Sequence, residues 1–168
     1  MLVLERLARL CKGGLPQQEV GTLRSRRLLA ALVLAILAVL VLAFPANAAQ
    51  PLVTLEANLA GEKEVPGPGD PDGRGHAVVN VYRASVCYGL EVTNIEPATA
   101  AHIHLGFRDE VGPVVATLNP PTDGSSGGCM QIPRALSRGL REHPARYYVN
   151  VHNEEFPNGA VRGQLRRM

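Results

Sequence analysis

From residue 51 onward, apolar and polar residues alternate with a period of two, and clusters of Gly, Pro, Asp and Asn interrupt the alternation. This pattern predicts short antiparallel strands with one buried face, joined by tight turns. An Asn-Gly pair at 158–159 marks the hairpin between the last two strands. We expect seven to eight strands, over residues 52–59, 75–82, 85–94, 100–105, 113–118, 129–132, 146–152 and 160–165.

One segment of this region has the pattern of a helix instead. Leu136 and Leu140 are spaced i, i+4, Pro133 stands at the first turn and Pro144 follows the last, which favours a short helix over residues 133–142. The strands need a second layer to cover their apolar face. The sequence therefore predicts an all-β fold: an antiparallel Greek-key β-sandwich or barrel of immunoglobulin-like or superoxide-dismutase-like type.

The longest apolar run lies near the N-terminus and has the layout of a signal peptide. Residues 28–44 form a run of 17 residues without a polar side chain, arginines precede it at 24–27, and Ala46 and Ala48 form an A-x-A site. We expect a signal peptide over residues 1–48, with a long n-region and cleavage after Ala48.

An uncleaved signal anchor is the alternative, because an apolar run of this length is near the lower limit for spanning a bilayer. Both interpretations keep the arginines in the cytoplasm and export the domain of residues 49–168. We therefore expect a secreted or cell-surface protein that contacts a membrane only through its N-terminal segment, if that segment stays uncleaved.

Charge is distributed unevenly between the two parts of the chain. Residues 1–48 hold 6 Lys/Arg against 2 Asp/Glu, whereas residues 49–168 hold 11 against 13, so the formal net charge of +2 comes from the leader. The exported part has no basic run except Arg166-Arg167, and it lacks the basic patch that neutralises phosphates. Nucleic acid is not an expected partner.

The exported part contains two cysteines, Cys87 and Cys129. An even pair in an oxidising compartment predicts a disulfide, and two buried free thiols are the alternative. The strand pattern directs Cys87 away from the core, so we expect the bridge to hold a Gly-rich loop over 123–129 against the outside of a sheet. No C-x-x-C is present, which excludes a cysteine-based zinc site.

Five segments occur in an order that resembles the CHRD domain, first described in chordin. The resemblance runs from about residue 52 to residue 166, and the last segment is the most specific because it is the longest. The segments are Glu64-Val65-Pro66, AAHIH at 100–104, GPVV at 112–115, YYVNVH at 147–152 and FPNGAVRGQL at 156–165.

The resemblance implies an extracellular β domain, and a single such domain behind a signal peptide is similar to the microbial secreted type, whose role is mostly unassigned. Chordin antagonises bone morphogenetic proteins. That activity does not transfer to this chain, because the companion cysteine-rich modules are not present in it.

Three histidines are candidate metal ligands. His102 and His104 are spaced i, i+2, which on a strand puts both imidazoles on one face, and His152 could supply a third nitrogen. Three histidines with an open position suit zinc or copper, and the H-x-H motif is similar to one in copper–zinc superoxide dismutases. The alternative is a structural role through hydrogen bonds. His76 and His143 are expected to be surface residues.

Four further residues are candidate ligand or structural contacts. Tyr148 and Asn150 share one strand face with His152, and Arg162 could pair with Glu64 or Glu154, or contact an anion or peptide on the sheet. Gly159 is expected to serve a turn that needs a positive φ. The remaining acidic and serine residues show no acid/base pair and no G-x-S-x-G motif, so we expect no catalytic residues, and the sequence favours a protein that is not an enzyme without deciding the question.

Two functions follow from these observations. The first is a noncatalytic extracytoplasmic module that binds a protein, glycan or other surface component. The second is a small secreted metalloprotein that binds copper or zinc through His102, His104 and His152, with or without redox activity. The sequence favours the first, because it shows no nucleophile, acid/base pair or cofactor loop.

Overall fold

The computed structural model describes residues 49–168, so the predicted signal peptide over 1–48 and its cleavage after Ala48 lie outside the described residues. The described part consists mainly of short strands. They are β1 (Val53–Ala60), β2 (Arg74–Val81), β3 (Ser85–Thr93), β4 (Ala100–Leu105), β5 (Val114–Leu118), β6 (Ser125–Gln131), β7 (Tyr147–His152), β8 (Val161–Gln164) and β9 (Arg166–Arg167), with one α-helix, α1 (Arg134–Glu142).

The strands form one antiparallel sheet in the order β5-β4-β7-β8-β1-β2-β3-β6, and β9 pairs with β1. The two end strands approach each other around Asn119, which follows β5. Its N–H donates to the hydroxyl of Tyr88 on β3 at 2.7 Å, and its carbonyl accepts from Ser126 Oγ on β6 at 2.7 Å. The sheet is therefore nearly closed, and the predicted all-β fold of barrel or sandwich character is confirmed.

The barrel interior contains the apolar residue of each alternating pair. On β3, Val86, Leu90 and Val92 are buried, as the period of two predicts. Leu140 of α1 is fully buried and joins the same core. The core is built from aliphatic residues and alanine with two tyrosines, Tyr88 and Tyr147, so its stability depends on many small apolar contacts rather than on a few large rings.

The Gly-rich segment at 123–129 differs from its prediction. It was expected to be a loop with a short strand over 129–132, but Ser125–Gln131 forms the complete edge strand β6, paired residue by residue with β3. Glycine and serine have low strand propensity. The backbone ladder to β3 overrides that propensity, because every residue of β6 has a pairing partner there.

The predicted disulfide between Cys87 and Cys129 is present, with a Cα–Cα distance of 4.0 Å. Cys87 points away from the core, between the inward-facing Val86 and Tyr88. The two cysteines lie directly opposite each other on β3 and β6. The bridge therefore joins two neighbouring strands on the outer surface, and the expectation that it holds a loop is wrong.

Other predicted element bounds differ from the observed ones by at most one residue, and Pro133 is the N-cap of α1, just before its first turn. With nine residues, α1 is too short to cross a membrane, and no other helix of residues 49–168 has the length and apolar character to do so.

Candidate functional site

A polar site lies on the outer face of β4, β7 and β8. On these strands the core-facing residues are apolar, whereas the outward residues carry imidazole, phenol, amide and guanidinium groups. The register places His102 opposite Asn150, His104 opposite Tyr148, and Asn150 opposite Arg162. The period of two thus assembles on one side of the sheet nearly all the residues that the sequence singles out.

The three candidate metal ligands lie together. Each of the three histidines offers one ring nitrogen, and these three atoms lie within 4.8 Å of one another. The shortest contact joins His102 Nδ1 and His152 Nε2 at 3.2 Å. His104 is buried, whereas His102 and His152 are half-buried, so the group is open to solvent on one side.

Backbone carbonyls fix two of the three imidazole rings. His104 Nδ1–H donates to the carbonyl of Gly112 at 2.8 Å, and His152 Nδ1–H donates to the carbonyl of Pro157 at 3.1 Å. Because a carbonyl only accepts hydrogen bonds, both rings carry their proton on Nδ1 and leave Nε2 unprotonated. His152 Nε2 then accepts a hydrogen bond from His102 Nδ1 at 3.2 Å. His104 Nε2 is buried and has no hydrogen-bond partner within residues 49–168.

The site keeps its imidazoles neutral. Burial lowers the pKa of all three histidines below the usual value. Charge on His104 lowers the pKa of His102 further, and charge on His102 lowers that of His152. The charge of Arg162 lowers the pKa of His104 in the same way. Neutral imidazole is the form that binds a metal ion.

Tyr148 lies between the histidines and Arg162. Its ring stacks on that of His104, with 4.7 Å between centroids, and the Arg162 guanidinium carbon lies 3.6 Å from its centroid. Its hydroxyl accepts a hydrogen bond from the Gly112 N–H at 3.1 Å. Gly112 therefore contacts both members of the stacked pair, through its carbonyl and its N–H.

Arg162 is 2% exposed and supports the loop between β4 and β5. Its Nη2 donates to the carbonyls of Phe107 and Glu110, each at 3.0 Å. The ion pairs within residues 49–168 both involve Glu56, so Arg162 forms none with Glu64 or Glu154. The guanidinium is therefore hydrogen-bonded to the loop carbonyls, and its charge only partly offsets the burial that raises the pKa of Glu64.

Glu64 is a buried carboxyl in contact with Asn150. Asn150 Nδ2 donates to Glu64 Oε2 at 3.4 Å, while Glu64 Oε1 and Asn150 Oδ1 are buried without a partner within the described residues. Burial raises the pKa of Glu64 to about 7, against the lowering effects of Arg162 and Asn150. The group is therefore substantially protonated at neutral pH.

Gly159 packs directly against this carboxyl. It has a φ of +146°, and a Cβ on it would lie 2.5 Å from the carboxyl carbon of Glu64. The expected role of Gly159 in a positive-φ turn agrees with this conformation, and the close approach adds a second reason for glycine.

The remaining histidines lie elsewhere. His76 Nε2 is 3.4 Å from Glu56 on a partly exposed surface, and His143 is exposed beyond the end of α1. The sequence did not indicate the carbonyls of Gly112 and Pro157 as partners of the histidines. Their only signal was that both residues fall inside the segments GPVV and FPNGAVRGQL.

Comparison with known families supports the resemblance seen in the sequence. A family model described as the CHRD domain matches residues 55–165, which includes every residue of the polar site. Searches of curated proteins and of solved structures found no match. CHRD domains are extracellular domains, and the disulfide is compatible with that compartment. The matched range covers most of the chain, which therefore belongs to the CHRD domain family.

Proposed function

We propose that this protein is a noncatalytic extracytoplasmic module that holds one zinc or copper ion through His102, His104 and His152. The observation that carries the proposal is the pair of Nδ1–H groups bonded to backbone carbonyls. They leave Nε2 of His104 and of His152 unprotonated, in a group of three histidines whose ligand atoms lie within 4.8 Å of one another. Metal-bound histidines in proteins are usually oriented in this way by their second nitrogen.

The spacing of the nitrogens fits a transition metal. Metal–nitrogen bonds of about 2.0–2.1 Å at tetrahedral angles separate two ligand nitrogens by about 3.3 Å, and His102 Nδ1 and His152 Nε2 are 3.2 Å apart. The other separations between ligand atoms are at most 4.8 Å. Three imidazoles suit zinc or copper rather than magnesium or calcium, which take oxygen ligands.

The buried Nε2 of His104 also supports a ligand at this point. A buried polar atom without a hydrogen-bond partner is rare and costs stability. A metal ion would use its lone pair, and no other group among the described residues does so. A purely structural role for His104 leaves this atom unexplained.

A metal-free binding module is the second candidate. The imidazoles, Tyr148, Asn150 and Arg162 would then form a hydrogen-bonded support for loops that bind a protein, glycan or other surface component. The hydrogen bonds from His104 and His152 to the carbonyls of Gly112 and Pro157 are compatible with this alternative, because they order the loops with or without a metal.

Metal content decides between the two candidates. The full chain should be expressed with its own N-terminal segment, recovered from the oxidising compartment without a metal-affinity tag, and analysed for metals beside His102→Ala/His104→Ala. Near-stoichiometric zinc or copper in the parent and none in the double variant is expected. His76→Ala is the matched control, because His76 pairs with Glu56 away from the site.

A parent that carries no metal and does not bind added Zn²⁺, Cu²⁺ or Co²⁺ overturns the metal site and leaves the metal-free module. If copper binds, superoxide and peroxide assays on the loaded protein test the redox alternative. The mass of the N-terminal peptide in the same preparation tests cleavage after Ala48.

A further inference from the structure

A second concave site lies beside the polar site and has a different chemistry. It is a cavity of about 260 Å³ between β1, β8, β9 and the loop after β4. Its lining includes four cationic side chains and two amides, and no carboxylate: Lys63, Arg108, Arg162, Arg166, Asn58 and Gln164. None of the three histidines lines it.

The concentration of positive charge is local. Residues 49–168 hold fewer Lys/Arg than Asp/Glu, 11 against 13. All the charged side chains that line this cavity are nevertheless basic. Arg166 is partly neutralised by Glu56 at 3.1 Å, and Lys63 Nζ uses one of its three hydrogens on the carbonyl of Asn58. The other cations in the lining have no carboxylate within ion-pair distance among the described residues.

Arg162 is the observation that points to a ligand. It is 2% exposed, and a buried charge without a counter-ion is costly. The carbonyls of Phe107 and Glu110 take two of its five N–H donors, but they supply dipoles and no negative charge. An anion in the cavity would supply that charge.

The amides narrow the class of anion. Both side-chain hydrogen bonds of Gln164 use Nε2, toward the carbonyls of Gly106 and Ala145, which leaves its Oε1 as an acceptor for a hydroxyl group. Asn58 is exposed at the rim. The cavity volume is just below the range of about 300–1,000 Å³ typical of small-molecule sites, which suits a single sugar ring.

We propose that this pocket binds an acidic saccharide, with the carboxylate or sulfate of one sugar residue over Arg162, Lys63 and Arg108 and its hydroxyls on the two amides. Guanidinium groups bind carboxylate and sulfate through paired N–H donors. The ligand is either a free acidic monosaccharide or one residue of an exported polysaccharide. No histidine lines the site, although Arg162 also contacts Tyr148 of the polar site.

Isothermal titration calorimetry tests the proposal on the exported protein. The probes are glucuronate, a galacturonate oligosaccharide, a sulfated heparin oligosaccharide, inorganic sulfate and neutral glucose, at low and physiological ionic strength. We expect an acidic saccharide to bind, glucose not to bind, and affinity to fall with salt. Binding of the monosaccharide indicates a free sugar, whereas binding of oligosaccharides alone indicates a polysaccharide.

Charge-removing variants locate the binding site. Lys63→Gln/Arg108→Gln should weaken binding at least about tenfold, while Arg83→Gln removes one charge from an exposed residue outside the cavity and should leave it unchanged. His102→Ala/His104→Ala should retain saccharide binding even where it has lost metal.

Three results overturn the proposal. They are a folded parent that binds none of the acidic saccharides, equal affinity for inorganic sulfate and for every saccharide, and equal weakening by Arg83→Gln and by the cavity variant. None of these results affects the metal site, which is measured separately.

Discussion

The rings of His104 and Tyr148 are nearly parallel, with an interplanar angle of 7° and 4.7 Å between centroids, where β4 and β7 run side by side. Gly112 binds both residues, donating its N–H to the phenol and accepting from His104 Nδ1–H with its carbonyl. One loop residue thus couples the orientation of the imidazole to that of the phenol. This arrangement fixes the position of His104 Nε2.

Tyr148→Phe should weaken metal binding without removing a ligand. The ring can still stack on His104, but the Gly112 N–H loses its acceptor, which costs about 1–3 kcal/mol of unfolding free energy. Zinc affinity should fall about tenfold, as when other second-shell partners are removed. Zinc titration against a competing chelator and urea unfolding measure the two effects.

The control for this variant is Tyr82→Phe, which removes the same hydroxyl from a half-buried tyrosine outside the polar site. It should change neither quantity. Unchanged zinc affinity in Tyr148→Phe would mean that Gly112 positions His104 without help from the phenol.

Arg162→Gln should destabilise the domain. The change removes two charge-assisted hydrogen bonds to the loop carbonyls of Phe107 and Glu110 and the contact with the ring of Tyr148. We expect a loss of about 2–4 kcal/mol of unfolding free energy. Arg162→Lys should restore little of it, because an ammonium is more strongly hydrated than a guanidinium and lacks the flat face that stacks on the ring of Tyr148.

Urea unfolding of these two variants beside Arg138→Gln, on the exposed face of α1, checks the prediction. Arg138→Gln should remain within about 0.5 kcal/mol of the parent. A fully stable Arg162→Gln would show that the loop after β4 is ordered by other contacts.

The sequence predicted the strands where side chains alternate and failed where they do not. On β3 the inward Val86, Leu90 and Val92 gave a clear period of two, and the strand was predicted nearly to its ends. On β6 the glycines and serines carry no such signal, and only the backbone ladder to β3 makes this segment a strand. Because β3 and β6 are far apart along the chain, the local composition of β6 does not reveal that the two strands pair.

The polar site was predictable in its side chains and not in its backbone. The spacing of His102 and His104 and the face shared by Tyr148, Asn150 and His152 follow from strand geometry alone. The carbonyls that fix the imidazoles belong to loops, whose path no periodicity determines. For the same reason Arg162 was expected to pair with a carboxylate, whereas the structure gives it loop carbonyls.

Removal of the disulfide should lower the stability of the domain but leave the polar site intact. Cys87 and Cys129 are 42 residues apart and bridge β3 to the edge strand β6, and neither strand carries a residue of the polar site. Cys87→Ser/Cys129→Ser should lose about 3–4 kcal/mol of unfolding free energy in the chain-entropy model, while metal content stays that of the parent. Urea unfolding and metal analysis measure both.

Intact mass of the exported parent should be lower by two hydrogens than the sequence mass of the same segment, and the reduced protein should recover them. A pair that is fully alkylated without a reductant would contradict the bridge. Loss of metal from the double variant would show that the two regions depend on each other.

The Glu64 carboxyl is buried and only partly hydrogen-bonded. Gly159 approaches it from one side, Asn150 donates to only one of its oxygens, and its other oxygen is buried without a partner within residues 49–168. This environment favours the neutral acid, which is why burial outweighs the nearby charge of Arg162.

Glu64→Gln should therefore remove a pH dependence of stability. The folded protein holds the Glu64 proton up to a pKa of about 7, whereas the unfolded chain releases it near 4.5. The contribution of this group to stability is thus fully present below the unfolded pKa and is lost as pH rises through about 7. Relative to the parent, Glu64→Gln should gain unfolding free energy between about pH 5 and about pH 8, whereas Glu62→Gln, at an exposed position, should follow the parent. Parallel urea curves for parent and Glu64→Gln across that range would mean that Glu64 is ionised in the folded protein and paired with Arg162.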